Sequence, residues 1–359
     1  MALLRAPGVG PARFARLLGH FGSAAAVFAG DHAEWVQMGL PDTALDYLRQ
    51  PDWRRVKQDL AWLERPGNHL LTLDDSRYPP LLRQIPYPPP LLFVHGNPHC
   101  LRAPQLAIVG TRNPTPLGRE TAHSFAAHLA GAGLVITSGL AFGIDAAAHQ
   151  GALTGGQTIA VMGTSLDRVY PAKHRELAHA IAENGALVSE LPTGTPALAE
   201  NFPRRNRLIS GLTLGVLVVE AAARSGSLIT ARMATEQGRE VFAIPGSIHN
   251  PLAKGCHTLI RQGAKLVETA TDILEELGAL AAVTLNTPDV AAAAPAATAA
   301  LDDEYRQLLA AMGDESVGID LLVERCGLTA EVVSSMLLIL ELEGYVTAVP
   351  GGLYGRLKM

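Results

Sequence analysis

The feature that most constrains the fold is a series of short, nearly all-apolar segments that alternate with helix-period segments between residues 69 and 275. Short apolar strands joined through helices are typical of parallel βαβ units whose sheet is covered on both faces. The predicted strands are residues 69–73, 91–95, 106–110, 134–138, 158–163, 186–189, 215–220, 240–244 and 265–268. The pattern therefore predicts an α/β fold with a doubly wound, Rossmann-like parallel sheet.

The sequence on either side of this region differs in character. Residues 1–65 are predicted to form short helices, and Pro7-Gly8-Val9-Gly10 has the pattern of a helix–hairpin–helix turn. Such a turn either holds a phosphate on exposed amides, with Arg13 and Arg16 nearby, or only supplies glycines that permit positive φ.

Residues 301–359 are predicted as helices followed by a β-hairpin, which is a winged helix–turn–helix. The predicted domains are a helical (helix–hairpin–helix or SAM-like) domain at 1–65, a Rossmann-like domain at 66–278, an Ala/Pro-rich linker at 279–300 and a winged helix at 301–359.

Several common chemistries are excluded because their motifs are absent. No Gly-x-Gly-x-x-Gly follows a predicted strand, and the sequence has no Gly-Lys pair, which a Walker A loop requires. Neither G-x-S-x-G nor H-E-x-x-H occurs. Cys100, Cys256 and Cys326 are isolated, so neither a disulfide framework nor a Cys-rich zinc site is predicted. No set of metal ligands is evident in the sequence, so no metal site is predicted, and a functional site has to be sought outside these motifs.

The ends of the predicted strands are rich in glycine, serine and threonine. Open α/β sheets bind ligands at the carboxyl ends of their strands. Glycine lets backbone amides approach an anion closely, and hydroxyl groups at helix starts add donors. A phosphate cradle is therefore predicted from Gly110, Thr111, Ser138, Gly139, Gly143, Gly163, Thr164, Ser225, Gly226 and Ser227.

A local basic cluster occurs at residues 201–211, NFPRRNRLISG, where three arginines fall within four residues. At helical spacing Arg204 and Arg207 share a face, whereas Arg205 points elsewhere. Arginine binds phosphate in a bidentate manner, and Phe202 offers a ring on which a base can stack. The alternative is a solvated helix with one structural salt bridge. Arg112 and Lys173 follow other strands and are predicted on the same rim as this cluster. The predicted DNA-binding residues are therefore Arg112, Lys173, Phe202, Arg204, Arg205, Asn206 and Arg207.

Three acid–base residues have both a functional and a structural interpretation. Asp145 and His149 are four residues apart on a predicted helix, as an acid–base pair would be, although such a pair is more often structural. Glu220 ends an apolar strand beside a glycine-rich loop. For Glu220 we favour a structural or hydrogen-bonding role over a catalytic one.

Charge and hydropathy predict a soluble, cytoplasmic protein whose basic surface is local. The net charge is −5, and residues 302–359 alone carry −6. The longest nearly apolar stretch, residues 211–223, contains Glu220 and is too short to span a bilayer, and the N-terminus lacks a signal-peptide pattern.

The predicted second helix of the tail, residues 329–343, has Glu331, Glu341 and Glu343 but no Lys or Arg. We therefore expect the tail to avoid duplex DNA and to contact a protein or the chain's own basic region.

Five long segments carry a specific resemblance to a known family. They are LAIVGTRNPT (106–115), GLVITSGLAFGIDAAAHQGAL (133–153), TIAVMGTSLDRVYPAKH (158–174), NFPRRNRLISGL (201–212) and SGSLITARMATEQGREVFAIPGSI (225–248). Together they resemble the DNA-processing protein A (DprA/Smf) family, with a close match over about residues 69–275. The helical start and the winged-helix end resemble that family's accessory domains more loosely.

The resemblance implies a homodimeric protein that binds and protects incoming single-stranded DNA and helps to load the RecA recombinase during natural transformation. It implies no catalytic activity and no cofactor. The family's DNA pocket falls on Arg112, Lys173, Arg204, Arg205 and Arg207. Because the chain begins at MALLRAPGVG, we expect the first helix of the hairpin to be incomplete. Two alternatives are a nucleotide phosphoribohydrolase-like enzyme, whose P-G-G-x-G-T-x-x-E motif is absent, and a transcription regulator that acts through the winged helix.

Overall fold

A computed structural model describes residues 1–285, 303–313, 317–328, 333, 336–337, 340, 346–349 and 353–356. They belong to two compact units, Met1–Thr287 and Pro288–Met359. Each unit has hydrophobic core clusters of its own. Among the residues described, no helix combines the length and the apolar character that crossing a bilayer requires.

The first unit begins with short helices that share a hydrophobic core, as predicted. Leu3, Leu17 and Trp35 are buried in this core, and the Ser23 side chain caps one helix by accepting a backbone hydrogen bond. Only a 3₁₀ turn, Ala2–Arg5, precedes the glycine turn. The helices are α1 (Pro11–Phe21), α2 (Ala24–Ala29), α3 (His32–Gln37), α4 (Asp42–Arg49) and α5 (Trp53–Leu63).

A nine-stranded sheet forms the centre of the first unit. Its strands are β1 (Asn68–Thr72), β2 (Leu91–Gly96), β3 (Gln105–Val109), β4 (Val135–Ser138), β5 (Thr158–Val161), β6 (Ala186–Ser189), β7 (Gly215–Val218), β8 (Glu240–Ala243) and β9 (Lys265–Leu266). The spatial order is β1-β2-β6-β5-β4-β3-β7-β8-β9, with β3 to β9 parallel and β2 antiparallel to both neighbours. The chain order reverses between β3 and β7, as in a Rossmann-type sheet. The predicted doubly wound sheet is confirmed, and all nine predicted strands are present.

Helices cover both faces of the sheet because the strands are apolar on both sides. Ala107 and Val109 of β3 pack in one core, whereas Leu106 and Ile108 pack in a second core on the opposite face. The helices of this region are α6 (Pro80–Arg83), α7 (Pro116–Gly131), α8 (Ile144–Gly155), α9 (Arg175–Asn184), α10 (Asn201–Leu212), α11 (Ser227–Glu236), α12 (Lys254–Arg261) and α13 (Ala270–Leu285). Residues of α10, α11 and α12 belong to the first core, and residues of α7, α8 and α13 belong to the second.

The last helix of the first unit extends past the predicted domain boundary. The linker is predicted to begin at residue 279, whereas α13 continues to Leu285. Alanine and leucine, which are strong helix formers, dominate residues 279–285. The low number of charged residues after position 278, which favoured a linker, therefore does not mark the end of this helix. The rest of the predicted linker, 286–300, lies outside the described residues.

The second unit has the elements of the predicted winged helix. It contains α14 (Asp303–Met312), α15 (Ile319–Cys326) and a three-stranded antiparallel sheet of β10 (Val317–Gly318), β11 (Val346–Val349) and β12 (Leu353–Arg356). Leu308, Leu322, Val333 and Leu340 are buried in its core. The glutamates of the predicted acidic helix lie outside the described residues.

Candidate nucleic-acid interface

A pocket lies where β3, β4 and β5 end, the edge at which the sequence predicts a ligand site. Parallel strands end on the same side of a sheet, so loops that are distant in the chain meet there. The lining residues come from the loops after these strands and from the start of α10: Arg112, Gly139, Ala141, Phe142, Tyr170, Pro171, Phe202 and Arg205. Three predicted DNA-binding residues, Arg112, Phe202 and Arg205, are thus brought together.

Arg205 lies at the bottom of this pocket and is only 6% exposed. Its Nη1 donates to the carbonyl of Gly139 at 2.6 Å and also to the carbonyl of Val161, at the ends of two neighbouring strands. A Cβ on Gly139 would lie 2.6 Å from the guanidinium, so any larger residue at this position would displace the Arg205 head group. The Arg205 Nε donates to Oδ1 of Asn206 at 3.3 Å. Arg205 Nη1 and Nε and the Oδ1 of Asn206 thus bond within the protein, and the binding of DNA by Arg205 and Asn206 stays a prediction.

Asp145, at the start of α8, supplies the second buried charge beneath the pocket. Its Oδ2 accepts hydrogen bonds from the amides of Gly139 at 3.1 Å and Ala141 at 3.3 Å. Burial raises the pKa of Asp145, and the nearby Arg205 charge opposes that shift. Burial also lowers the pKa of Arg205 to about 10, with Asp145 acting in the opposite direction. We call Arg205 and Asp145 the pocket floor.

His149 bonds to Thr158 and not to Asp145. Its Nδ1 lies 2.7 Å from Oγ1 of Thr158, and that hydroxyl donates to the Ile136 carbonyl at 2.6 Å, so Nδ1 is the donor to Thr158. The opposite nitrogen, Nε2, is buried and has no partner among the described residues. Burial, together with the smaller effects of the His174 and Arg205 charges, lowers the pKa of His149 to about 3. A neutral histidine inside the fold agrees with the structural interpretation of the Asp145–His149 pair.

Three basic side chains near the pocket remain available to an anionic ligand. Arg112, Lys173 and Arg204 are exposed, and none of them makes a hydrogen bond or ion pair with any residue that the structure describes. Arg112 lines the pocket, Lys173 lies in the 3₁₀ turn Ala172–His174, and Arg204 precedes Arg205 on α10. We call Arg112, Lys173 and Arg204 the basic rim.

Aromatic rings stand beside these cations. Phe142 is 43% exposed and Tyr170 is 50% exposed. The ring of Phe202 lies 5.5 Å from that of Tyr170, centroid to centroid, and covers Gly163, where a Cβ would be 2.8 Å from it. The sequence analysis selected Phe202 but missed Phe142 and Tyr170, whose signal is an aromatic residue in a loop that follows a buried strand. Exposed rings next to unpaired cations suit the stacking of nucleobases.

Arg204 and Arg207 share a helix face, as predicted, but only Arg204 is unpaired. Arg207 Nη2 forms an ion pair with Glu190, and its Nη1 donates to the carbonyl of Tyr87 at 3.1 Å. This is the one structural salt bridge that the alternative interpretation of the basic cluster allowed. These contacts give Arg207 a structural role, and its binding of DNA stays a prediction.

The other glycines of the predicted phosphate cradle also permit close packing within the protein. A Cβ on Gly110 would lie 2.6 Å from the Ile144 side chain. A Cβ on Gly143, which has a φ of 81°, would collide with the carbonyl of Thr111. Close packing therefore accounts for glycine at these two positions, and their predicted contact with a phosphate stays a prediction.

The hydroxyl groups of the predicted cradle are mostly used internally as well. Ser138 donates to a carbonyl of β3 at 2.7 Å, and the hydroxyls of Ser225 and Ser227 lie 2.8 Å apart. Thr164 is buried, and its Oγ1 has no partner among the described residues. The segment with Ser225 and Gly226 follows β7 and is not part of the pocket lining.

Glu220 ties β7 to the loop after β3. Its carboxylate accepts hydrogen bonds from the amide of Thr115 at 2.9 Å and from the hydroxyl of Thr115 at 2.7 Å. Its backbone carbonyl accepts from the amide of Thr111 at 2.7 Å. These contacts match the hydrogen-bonding role that we favoured for Glu220, and they explain how the two loops are held where the strand order reverses.

The arginines of the predicted helix–hairpin–helix bond within the N-terminal helices. Arg13 Nη1 donates to the carbonyl of Gly8 at 2.7 Å, and Arg16 Nη2 donates to the carbonyl of Met38 at 3.3 Å. Gly8 has a φ of 75°. These contacts favour the structural alternative for this turn.

Fold and site together define a Rossmann-type protein with a basic, aromatic pocket at its strand ends. In the chain, an N-terminal helical region precedes this part and a winged helix follows it. Residues 69–278 match the family model described as DNA recombination-mediator protein A. Residues 292–352 match the DprA winged helix domain, and residues 1–30 match the DprA-like N-terminal HHH domain. The chain belongs to the DNA-processing protein A family, as its sequence predicted.

Individual relatives agree with this assignment. The chain is 48% identical over 308 residues to Protein Smf of Escherichia coli (strain K12), covering 85% of this chain and 82% of that protein. It is 49% identical over 205 residues to the DNA processing protein DprA of Streptococcus pneumoniae, covering 57% and 72%. The solved structure of DprA from Streptococcus pneumoniae matches with a TM-score of 0.67 at 37% identity, covering 76% of this chain and 95% of that one. A structure that describes the single-stranded DNA binding mode of DprA from Helicobacter pylori matches with a TM-score of 0.54 at 30% identity, covering 59% and 96%.

Proposed function

We propose that this chain binds single-stranded DNA through the pocket and the basic rim. The observation that carries the proposal is the meeting of unpaired Arg112 and Lys173 with exposed Phe142 and Tyr170 at one sheet edge. Cations attract the phosphate backbone, and rings stack on bases of any identity. Proteins that bind single strands without sequence preference combine these two features.

The shape and chemistry of the pocket favour a single strand over a duplex. In a duplex each base is stacked between its neighbours, whereas a single strand can turn a base face onto an exposed protein ring. Apart from arginine, the pocket lining has no side chain that reads base edges, such as asparagine or glutamine. Binding is therefore expected to depend on strand type and salt, and little on sequence.

Family membership supports the finer parts of the proposal. DprA of Helicobacter pylori is described by its single-stranded DNA binding mode, and the matching family model is that of a recombination mediator. We extend this to a cytoplasmic homodimer that protects incoming single strands and helps to load RecA during natural transformation.

Binding is favoured over the alternative of a nucleotide phosphoribohydrolase-like enzyme. Such an enzyme needs a carboxylate that faces the bound nucleotide. Glu220 instead bonds to Thr115, and Asp145 bonds to the amides of Gly139 and Ala141 beneath the pocket. Both carboxylates therefore have internal partners, and we propose a mediator without catalytic activity.

The proposal is tested by binding isotherms of the full chain for labelled single-stranded and duplex DNA of random sequence and equal length. Fluorescence anisotropy at several salt concentrations measures both affinities. We expect the single strand to bind at least about tenfold more tightly, a difference of ~1.4 kcal/mol. Equal affinity for the two forms at every salt concentration would overturn the proposal.

A further inference from the structure

A second cavity lies beside the first turn of α10, between the N-terminal helical region and the loop after β6. Its volume is about 440 Å³, within the ~300–1,000 Å³ that is usual for ligand pockets. One wall is the N-terminal turn with Leu4, Val9 and Gly10, and the opposite wall is Leu191 and Pro192. The family resemblance assigned no residue of either wall to DNA.

A buried polar network holds the two walls together. Arg5 donates to the carboxylate of Asp59 from Nε and Nη2, both at 2.7 Å. The same carboxylate accepts from the amide of Thr193 at 3.0 Å and from its hydroxyl at 2.7 Å, and Arg5 also donates to the Thr193 carbonyl at 2.9 Å. Asp59 is fully buried, and a buried, fully bonded ion pair is costly to break. The cavity is therefore preformed.

The cavity walls are mainly apolar and carry one uncompensated charge. Arg204 lies at the cavity and has no hydrogen-bond or ion-pair partner in the described part of the chain. Glu190 also lines the cavity, but its carboxylate is paired with Arg207. An apolar surface next to a single arginine suits a sugar and base attached to a phosphate.

The cavity and the pocket lie next to each other along the first turn of α10. Phe202 and Arg205 line the pocket, and Arg204 between them lines the cavity, all within one turn of the helix, which rises 5.4 Å. Building on the proposed function, we propose that the cavity binds the nucleotide next to the one in the pocket. Arg204 holds its phosphate, and its sugar and base lie against the N-terminal turn. The N-terminal helical region is then part of the DNA site.

The experiment fills the cavity without disturbing the backbone. Gly10 has a φ of −81°, and a Cβ there would meet nothing within 4 Å, so Gly10→Leu enters the cavity without strain. Gly19 on α1 is equally open but does not line the cavity, so Gly19→Leu is the matched control. Anisotropy measures the affinity of each full-length variant for oligothymidylates of increasing length. For longer oligonucleotides we expect Gly10→Leu to bind about tenfold more weakly. For the shortest oligonucleotide that the wild-type chain binds, its affinity should be unchanged, and Gly19→Leu should follow the wild type throughout.

A second variant, Arg204→Met, removes the charge from an exposed side chain without a partner, so folding should be unaffected. We expect the same loss that grows with oligonucleotide length, and a salt dependence that is less steep by about 0.7 in log K against log salt. Wild-type affinity at every length in both Gly10→Leu and Arg204→Met would overturn the cavity proposal and would remove Arg204 from the basic rim. Single-strand binding through Arg112 and Lys173 would stand, and the cavity would be left to a protein ligand. A wild-type chain that binds no oligonucleotide would overturn the proposed function, and the cavity proposal with it.

Photo-crosslinking supplies an independent measurement. Wild-type chain is irradiated with oligonucleotides that contain 4-thiothymidine, and the adducts are located by mass spectrometry. We expect adducts in residues 4–11 and 190–192 as well as at Phe142, Tyr170 and Phe202. Adducts that are confined to those three aromatic residues would contradict the proposal.

Discussion

Arg204 and Arg205 are neighbours in the sequence but belong to regions with opposite properties. Arg205, in the pocket floor, is buried, bonds to two main-chain carbonyls and lies near Asp145. Arg204, in the basic rim, is exposed and has no hydrogen-bond or ion-pair partner among the described residues. Successive helix residues point about 100° apart, which is enough to separate a folding role from a binding role. Changes in the floor should therefore affect stability first, and changes in the rim should affect DNA binding alone.

The largest effect is expected from Arg205→Met. Loss of the guanidinium leaves the carbonyls of Gly139 and Val161 without a donor and the buried Asp145 without its neighbouring cation. A buried acceptor that loses its donor typically costs about 1–3 kcal/mol, so the two carbonyls together should cost about 2–6 kcal/mol. We expect a fall of that size in the free energy of unfolding, measured by urea denaturation with tryptophan fluorescence, to which Trp62, packed against Phe93, contributes.

Arg204→Met is the control for this experiment, because the two substitutions are chemically identical and one residue apart. We expect it to change the free energy of unfolding by no more than about 0.5 kcal/mol. If both variants unfolded at the same urea concentration as the wild type, the separation of floor from rim would be wrong.

A smaller effect on the free energy of unfolding is expected from acidification, through the buried His149 near Arg205. The folded chain holds it neutral, with a pKa of about 3 against 6.5 in an unfolded chain. Below pH 6.5 the unfolded state therefore binds a proton that the folded state does not, and the free energy of unfolding falls as the pH falls toward 3. This histidine should account for a loss of about 2–3 kcal/mol between pH 6.5 and 4.5.

His149→Gln should remove that part of the pH dependence while keeping a donor for Thr158. Urea denaturation across the pH range measures the difference between variant and wild type, and this difference isolates His149 from other titrating groups. His128→Gln, at an exposed position on α7, is the matched control for the substitution itself. An unaltered profile in His149→Gln would contradict the buried neutral state.

The fold was predictable from the sequence because strand and helix periodicity are local signals. Each of the nine strands coincides with an apolar run in the sequence, and the ends of these strands locate the pocket. The end of α13 was less predictable, since the alanine-rich segment after residue 278 fits both a helix and a linker.

The site was predictable only in part because burial and partners depend on contacts between distant segments. Helical spacing separated Arg205 from Arg204 and Arg207, but it did not show that Arg205 points into the protein. The ion pair of Arg207 depends on Glu190, which follows β6. Gly139 has the sequence pattern of a phosphate loop, yet its open face is taken by the Arg205 guanidinium. The sequence thus identified the basic cluster, and only the tertiary structure divided it between floor and rim.

The central claim is that the basic rim supplies the phosphate contacts, and the salt dependence of DNA binding tests it most directly. The measurement compares the wild-type chain with the triple variant Arg112→Met, Lys173→Met and Arg204→Met, using one single-stranded oligonucleotide over a range of salt concentrations. Each phosphate contact contributes about 0.7 to the slope of log K against log salt for single strands, so the slope should become less steep by about 2 while urea denaturation is unchanged. A triple variant that folds normally and keeps the wild-type slope would contradict the account.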